Sequence, residues 1–299
     1  MRTEVRSRHH RRRGNFERRG LKFARVAAGM VAAGLLMSCG EKETPQASMP
    51  LVVEGWIEEG EMPVVIVSRA VDMTQDVGSF DGAVEKWCRV SVFDDGRRVL
   101  LTGQPDTRYM PPFIYTTPDL RGKEGHTYKL MVETERDTVY AESRLPASIL
   151  IESLTAQKRE DADSLYSIRV RLRNVNPEGY YKFYTRIMDS EERYYPAFLG
   201  TFRGSDYDPE AGFVITRGVH AGYDNAEFNH YFKSGDHVMV KICTMSADLY
   251  EFWRVYDSNV SLSGNLFFTF AENCPHTVYG GFGYWGAFGM SRRSVRIPK

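Results

Sequence analysis

Tyr166-Ser167-Ile168-Arg169-Val170-Arg171-Leu172-Arg173 alternates apolar and polar side chains over its whole length. A period of two puts Tyr166, Ile168, Val170 and Leu172 on one face and Ser167, Arg169, Arg171 and Arg173 on the other. A helical period would scatter both sets around the axis, so the stretch reads as a half-buried β-strand. The same reading extends outward. Downstream, residues 180–188, 194–202 and 238–245 are further strands, with a turn near Ser190-Glu191-Glu192. Upstream, 51–57 and 64–68 flank the turn Glu58-Glu59-Gly60-Glu61. Residues 87–93 alternate, with Cys88, Val90 and Val92 on one face. Asp94-Asp95-Gly96 supplies the positive φ of a tight hairpin into 98–101. Residues 128–133 and 138–142 follow, and 278–297, rich in Gly and aromatics, is expected to return as a strand. Residues 71–84 and 203–212 read as polar loops.

The period changes once. Leu249, Phe252, Trp253, Tyr256 and Val260 fall on one face of a helix. Ser246 is placed to cap it, and Asp248 lies in the first turn, where the helix dipole favours negative charge. The expected fold is all-β: an N-terminal Ig-like β-sandwich over 51–145, then a second β-rich domain over 150–299 carrying one amphipathic helix near 247–261. Leu145-Pro146-Ala147-Ser148 is the expected linker, because Pro interrupts a ladder.

The N-terminal region has a different character. Residues 1–25 carry nine Arg and one Lys against Glu4 and Glu17, and 26–37 contain only Val, Ala, Gly, Met and Leu. That apolar run is too short to span a bilayer and has the length of a signal-peptide core. It ends in Leu36-Met37-Ser38-Cys39, which resembles a bacterial lipobox. The resemblance implies cleavage before Cys39 and acylation of Cys39, with 1–38 removed. An ordinary signal peptide with a chance Cys is the alternative. Each buried methylene of a lipid adds about 0.8 kcal/mol, so two or more acyl chains anchor stably. Residues 39–50 then read as the lipidated Cys and a polar tether.

Removing 1–38 changes the charge. The whole chain balances 39 basic against 39 acidic side chains. Residues 39–299 hold 29 against 37, a net of about −8. Nucleic acid, whose phosphates reward clustered cations, is therefore not an expected partner. Three cysteines remain beyond Cys39, so at most one disulfide forms. Cys243 with Cys274 is the candidate, subject to geometry that spacing does not fix. Cys88, on the Val90 and Val92 face, reads as an inert buried thiol.

Several patterns were weighed for chemistry. Gly281-x-Gly283-x-x-Gly286 matches a dinucleotide fingerprint literally, but no helix or distal acid follows. The better reading is a strand whose glycines admit a close backbone while Phe282, Tyr284 and Phe288 pack. Asp206, Asp208 and Glu210 lack the glycine and distal Glu of a calcium loop. His220, His230 and His237 match no zinc spacing. No Gly-x-Ser-x-Gly elbow is present. No catalytic residue, metal or cofactor is therefore expected. The face Tyr180, Lys182, Tyr184 and Arg186, with the Arg169/Arg171/Arg173 column, reads either as solvated sheet or as an aromatic and cationic ligand surface.

The succession Ser234-Gly235-Asp236, Val238-Met239-Val240, the Leu249–Trp253 segment and the run Gly280-Gly281-Phe282-Gly283-Tyr284-Trp285-Gly286-Ala287-Phe288 resembles a Bacteroidota lipoprotein family catalogued as domain of unknown function 4249. Leu51-Val52-Val53-Glu54-Gly55-Trp56-Ile57 is similar to its opening strand. The resemblance implies an exported, lipid-anchored, β-rich protein of the outer membrane that accompanies a TonB-dependent receptor, with no catalytic residues to carry over. The expected function is that of a non-enzymatic accessory or binding protein. A structural or adhesive surface protein is the alternative, and a hydrolase comes third.

Overall fold

The computed structural model describes residues 49–70, 83–160, 162–218, 229–263 and 275–299. Leu36, Met37, Ser38 and Cys39, the tether to 48, most of the 71–84 loop, His220 and Cys274 lie outside the described residues.

In chain order the strands are β1 (Leu51–Glu58), β2 (Val64–Arg69), β3 (Arg89–Asp94), β4 (Arg97–Leu100), β5 (Thr102–Pro105), β6 (Phe113–Thr116), β7 (Thr127–Glu133), β8 (Thr138–Arg144), β9 (Leu150–Arg159), β10 (Ala162–Arg173), β11 (Tyr180–Ile187), β12 (Tyr195–Arg203), β13 (Phe213–Ile215), β14 (Phe232–Lys233) and β15 (His237–Met245). Helix α1 (Ala247–Ser263) and strand β16 (Phe282–Arg296) complete the chain.

One eight-stranded sheet, ordered β12-β11-β15-β16-β1-β2-β6-β5, runs through the whole body. Two four-stranded sheets pack on one side of it. The sheet β4-β3-β7-β8 encloses a core with Val53, Ile57, Tyr115, Trp285 and Ala287. The sheet of β9, β10, β13 and β14 encloses a second core with Phe183, Val240, Ile242 and Ile297. The result is two β-sandwiches sharing one sheet.

Strand β16 is the shared piece. Its first half pairs in parallel with β1, Val52 opposite Phe282 through Glu58 opposite Phe288. Its second half pairs antiparallel with β15, Thr244 opposite Gly289 through His237 opposite Arg296. This corrects the division at 145–150: residues 282–288 complete the N-terminal sandwich although they lie in the expected second domain. The reason is the length of β16, which crosses from one core to the other without a turn. Its parallel seam with β1 is closed by Gly283, at φ +103°, where a Cβ would collide with the Val53 carbonyl. The glycines of the Gly-x-Gly-x-x-Gly run therefore serve strand packing.

Tyr166, Ile168, Val170 and Leu172 are buried and Arg171 and Arg173 exposed, as alternation requires. The ladder partner of β10, β9, was not legible. Among its first nine residues only Ile151 is buried, so it carries no alternation, and it forms because β10 offers it an open edge. β5, β6, β13 and β14 are too short to carry a period.

Candidate functional site

The two sandwich cores use one face of the long sheet. Along β16 the odd-numbered residues Trp285, Ala287 and Val295 point to them, and the even-numbered Tyr284, Phe288 and Met290 point the other way. The same alternation puts Tyr180, Lys182, Tyr184 and Arg186 of β11, Lys241, Cys243 and Met245 of β15, and Glu54, Trp56 and Glu58 of β1 on this second face. It brings aromatic rings and charges together across four neighbouring strands.

Helix α1 covers the part over β11, β15 and β16. Leu249, Phe252 and Trp253 are buried against it, so the periodicity read from the sequence is the seat of the helix. Burying three such side chains contributes roughly 5–9 kcal/mol before entropy is counted. The rings interlock, with Phe252 at 4.9 Å and Trp253 at 5.3 Å from Tyr284 between centroids.

Under the helix lies Lys182, with no exposed area. Its Nζ donates to Asp257 of α1 at 2.9 and 3.0 Å and to Thr201 of β12 at 2.8 Å, and sits 4.7 Å from the centre of the Trp253 ring. The Thr201 hydroxyl donates to the same carboxylate. Burial lowers the Lys182 pKa, and Asp257 opposes the shift. One strand over, Lys241 pairs with Glu58 and lies 4.7 Å from the centres of both Tyr184 and Tyr194. Burial alone would lower its pKa too, but Glu58 more than offsets that and the net shift is upward. Two buried lysines on neighbouring strands thus move in opposite directions, each according to its carboxylate.

These facts correct one expectation. The Tyr180/Lys182/Tyr184/Arg186 face is not simply solvated: α1 lies over Lys182, whose charge is met by Asp257. Period two located the face, but a helix some seventy residues downstream decided its cover. Cys243 is a buried thiol on this face, and its candidate disulfide partner, Cys274, lies outside the described residues. Burial, with Glu58 adding, pushes the Cys243 thiol up to about 12. Cys88 packs against the first core as expected, and burial raises it to about 11.

The remaining charged groups are engaged elsewhere. Arg171 donates to the Glu210 carbonyl at 2.8 Å, Arg169 to that of Ala211, and Arg173 pairs with Glu152 at 3.4 Å. The Arg column therefore braces the 208–212 turn and β9. Asp208 accepts from the Glu210 and Ala211 amides, which is a turn contact. His230 and His237 lie apart from any group of three potential metal ligands among the described residues. The group that does exist is Asp94, Asp95 and His126, at the β3–β4 hairpin. His126 Nδ1 is 2.7 Å from Asp94, and Asp95 accepts from the Thr127 amide at 3.1 Å, so these contacts tie the hairpin to β7.

The same face continues along β1, where its side chains are partly buried among the described residues. Glu54, Trp56 and Glu58 are each half-buried there. The 106–112 connection brings Tyr109 to Trp56, 5.9 Å between ring centres, and Arg193 from the β11–β12 connection lies over Tyr109 at 5.9 Å and Tyr195 at 5.1 Å. Burial pushes the Glu54 carboxyl up to about 7, with Arg193 opposing. The sequence reading missed this strip. Its signal was present, since Glu54, Trp56 and Glu58 share the non-core parity of the opening strand, but nothing local says that parity faces rings from four other segments. A separate recess of about 500 Å³ lies where the 146–150 linker passes Tyr180, Thr244 and Ser246.

The model of the family described as "Domain of unknown function (DUF4249)" matches residues 41–293. Among solved structures, the chain is similar to a two fibronectin type-III domain segment from chicken tenascin, at 10% identity and a TM-score of 0.21, over 65% of this chain and 90% of that one. No curated protein sequence matches it.

Proposed function

Because the chain belongs to the family described as domain of unknown function DUF4249, we propose that it is a lipid-anchored accessory or binding protein of the outer membrane, held by Cys39 and working beside a TonB-dependent receptor. The observation that carries the binding part is the aromatic and charged strip along β1, where Glu54, Trp56 and Glu58 are only partly buried while Leu249, Phe252 and Trp253 of α1 are buried on the neighbouring part of that face. Both described thiols are held protonated at neutral pH and both buried lysines are paired with carboxylates, so none of these four side chains is a free nucleophile. The anchor rests on the Leu36-Met37-Ser38-Cys39 motif behind its basic, apolar leader.

Co-purification from detergent-solubilised membranes tests the partner. Recovery of a TonB-dependent receptor with the protein is expected, and its absence from every preparation overturns the reading. Metabolic labelling with palmitate tests the anchor: Cys39→Ala is expected to abolish the label.

A further inference from the structure

Glu58 is neutralised by Lys241, and Glu61 by Arg292. Glu54, on the same strip, has no hydrogen bond or ion pair among the described residues. In the ladders it stands opposite Tyr284 on β16 and Ile66 on β2, with Trp56 two residues along the same face. Phe252 of α1 leans on Tyr284 from one side, and Tyr109 reaches Trp56 from the other. The carboxyl is thus bordered by rings and apolar surface but keeps solvent access. A carboxylate in such surroundings is costly, and Gln or Leu would fill the position without the charge. Its upward shift to about 7 is the same cost expressed as proton affinity.

Three ligand chemistries meet this strip differently. A metal ion needs several donors, and Glu54 belongs to no group of three among the described residues. A neutral hydroxyl ligand leaves the charge uncompensated. A cation satisfies the carboxylate and is also drawn to the ring faces. The chain's own cations follow that rule here, Arg193 lying over Tyr109 and Tyr195, and Lys241 over Tyr184 and Tyr194.

We infer that the β1 strip between α1 and the 106–112 connection receives a positively charged amine of the ligand, with Glu54 as its counter-ion and the partly exposed rings of Trp56 and Tyr109 as its aromatic walls. This names the ligand chemistry of the site proposed above and rests on that binding reading. Arg193, Tyr256, Tyr284 and Glu58 share the surroundings of Glu54. Burial keeps Tyr284 protonated well above neutral pH, while it raises Glu54 to about 7.

The test titrates the full chain, in a neutral detergent, with n-butylammonium and with n-butanol as the uncharged control, following tryptophan fluorescence. Saturable binding of n-butylammonium at pH 8 is expected, at least tenfold tighter than n-butanol. Glu54→Gln is expected to weaken it at least tenfold, and lowering the pH to 6 to weaken it in the wild type alone. Equal binding of the two probes, or unchanged affinity in Glu54→Gln, overturns the inference. Should Glu54→Gln not fold, the wild-type pH series against n-butanol decides. A protein that co-purifies with a receptor but ignores n-butylammonium retains the receptor partnership and loses this inference; one that binds n-butylammonium but never recovers a receptor retains the binding site and loses the receptor partnership.

Discussion

Burial makes the Glu54 carboxyl harder to ionise than a free one. Its ordinary value is 4.5 and its folded value about 7. Between those values the folded state binds more protons than the unfolded state, so stability falls as pH rises through the window and stays low above it. At about 1.4 kcal/mol per pKa unit the loss is up to about 3 kcal/mol, reduced because the group is half-buried. Glu54→Gln is expected to remove this dependence and to be the more stable protein at pH 8 in urea titrations. Lys182 behaves differently, since its charge is fully buried and paired with Asp257. Asp257→Ala strands that charge and is expected to cost about 3–5 kcal/mol. The double replacement Lys182→Met with Asp257→Leu removes both charges, and a urea midpoint near the wild type is expected. The apolar face of α1 then holds the helix, and the ion pair selects its seating.

At the scale of elements, β16 carries the most consequence. Gly283 has a left-handed φ and no room for a Cβ beside the Val53 carbonyl. Gly283→Ala is expected to lower stability by about 1–3 kcal/mol from strain alone, and more from the clash with β1. Gly60, also at positive φ but with open space around it, is the comparison: Gly60→Ala is expected to cost only about 1 kcal/mol, read as a smaller fall in Tm. Elements with their own period were legible from the sequence. β1 and β10 bury alternate residues and α1 buries one face, while β15 was read from an apolar run that is buried on both faces; β1, β15 and α1 lie within two residues of the expected bounds, and β10 begins four residues earlier than expected. β9 was not legible, because its partner's edge holds it. For β11, period two showed which residues share a face, while the cover on that face came from α1. The candidate strip was unreadable for a related reason: its aromatic neighbours Tyr109, Phe252 and Tyr284 come from three separate segments.

For the whole molecule, the shared eight-stranded sheet changes how the body unfolds. Two independent sandwiches would melt separately. Here β16 closes the first core with Trp285 and Ala287 and the second with Val295, followed by Ile297 just beyond its end. Loss of either half withdraws a central strand from the other. A single transition is therefore expected, with the calorimetric enthalpy equal to the van't Hoff enthalpy. Two resolved transitions would show that the halves fold apart.

The sequence by itself determined the all-β class, the one helix, the buried parity of each regular strand and the family, because periodicity and motif order are local properties. The tertiary structure alone decided that the last strand joins both sandwiches, that α1 covers much of the predicted ligand face, and that the Glu54 side chain has no ion pair beside it among the described residues. Those outcomes depend on which surfaces meet across as much as two hundred residues, and no local pattern encodes such a meeting.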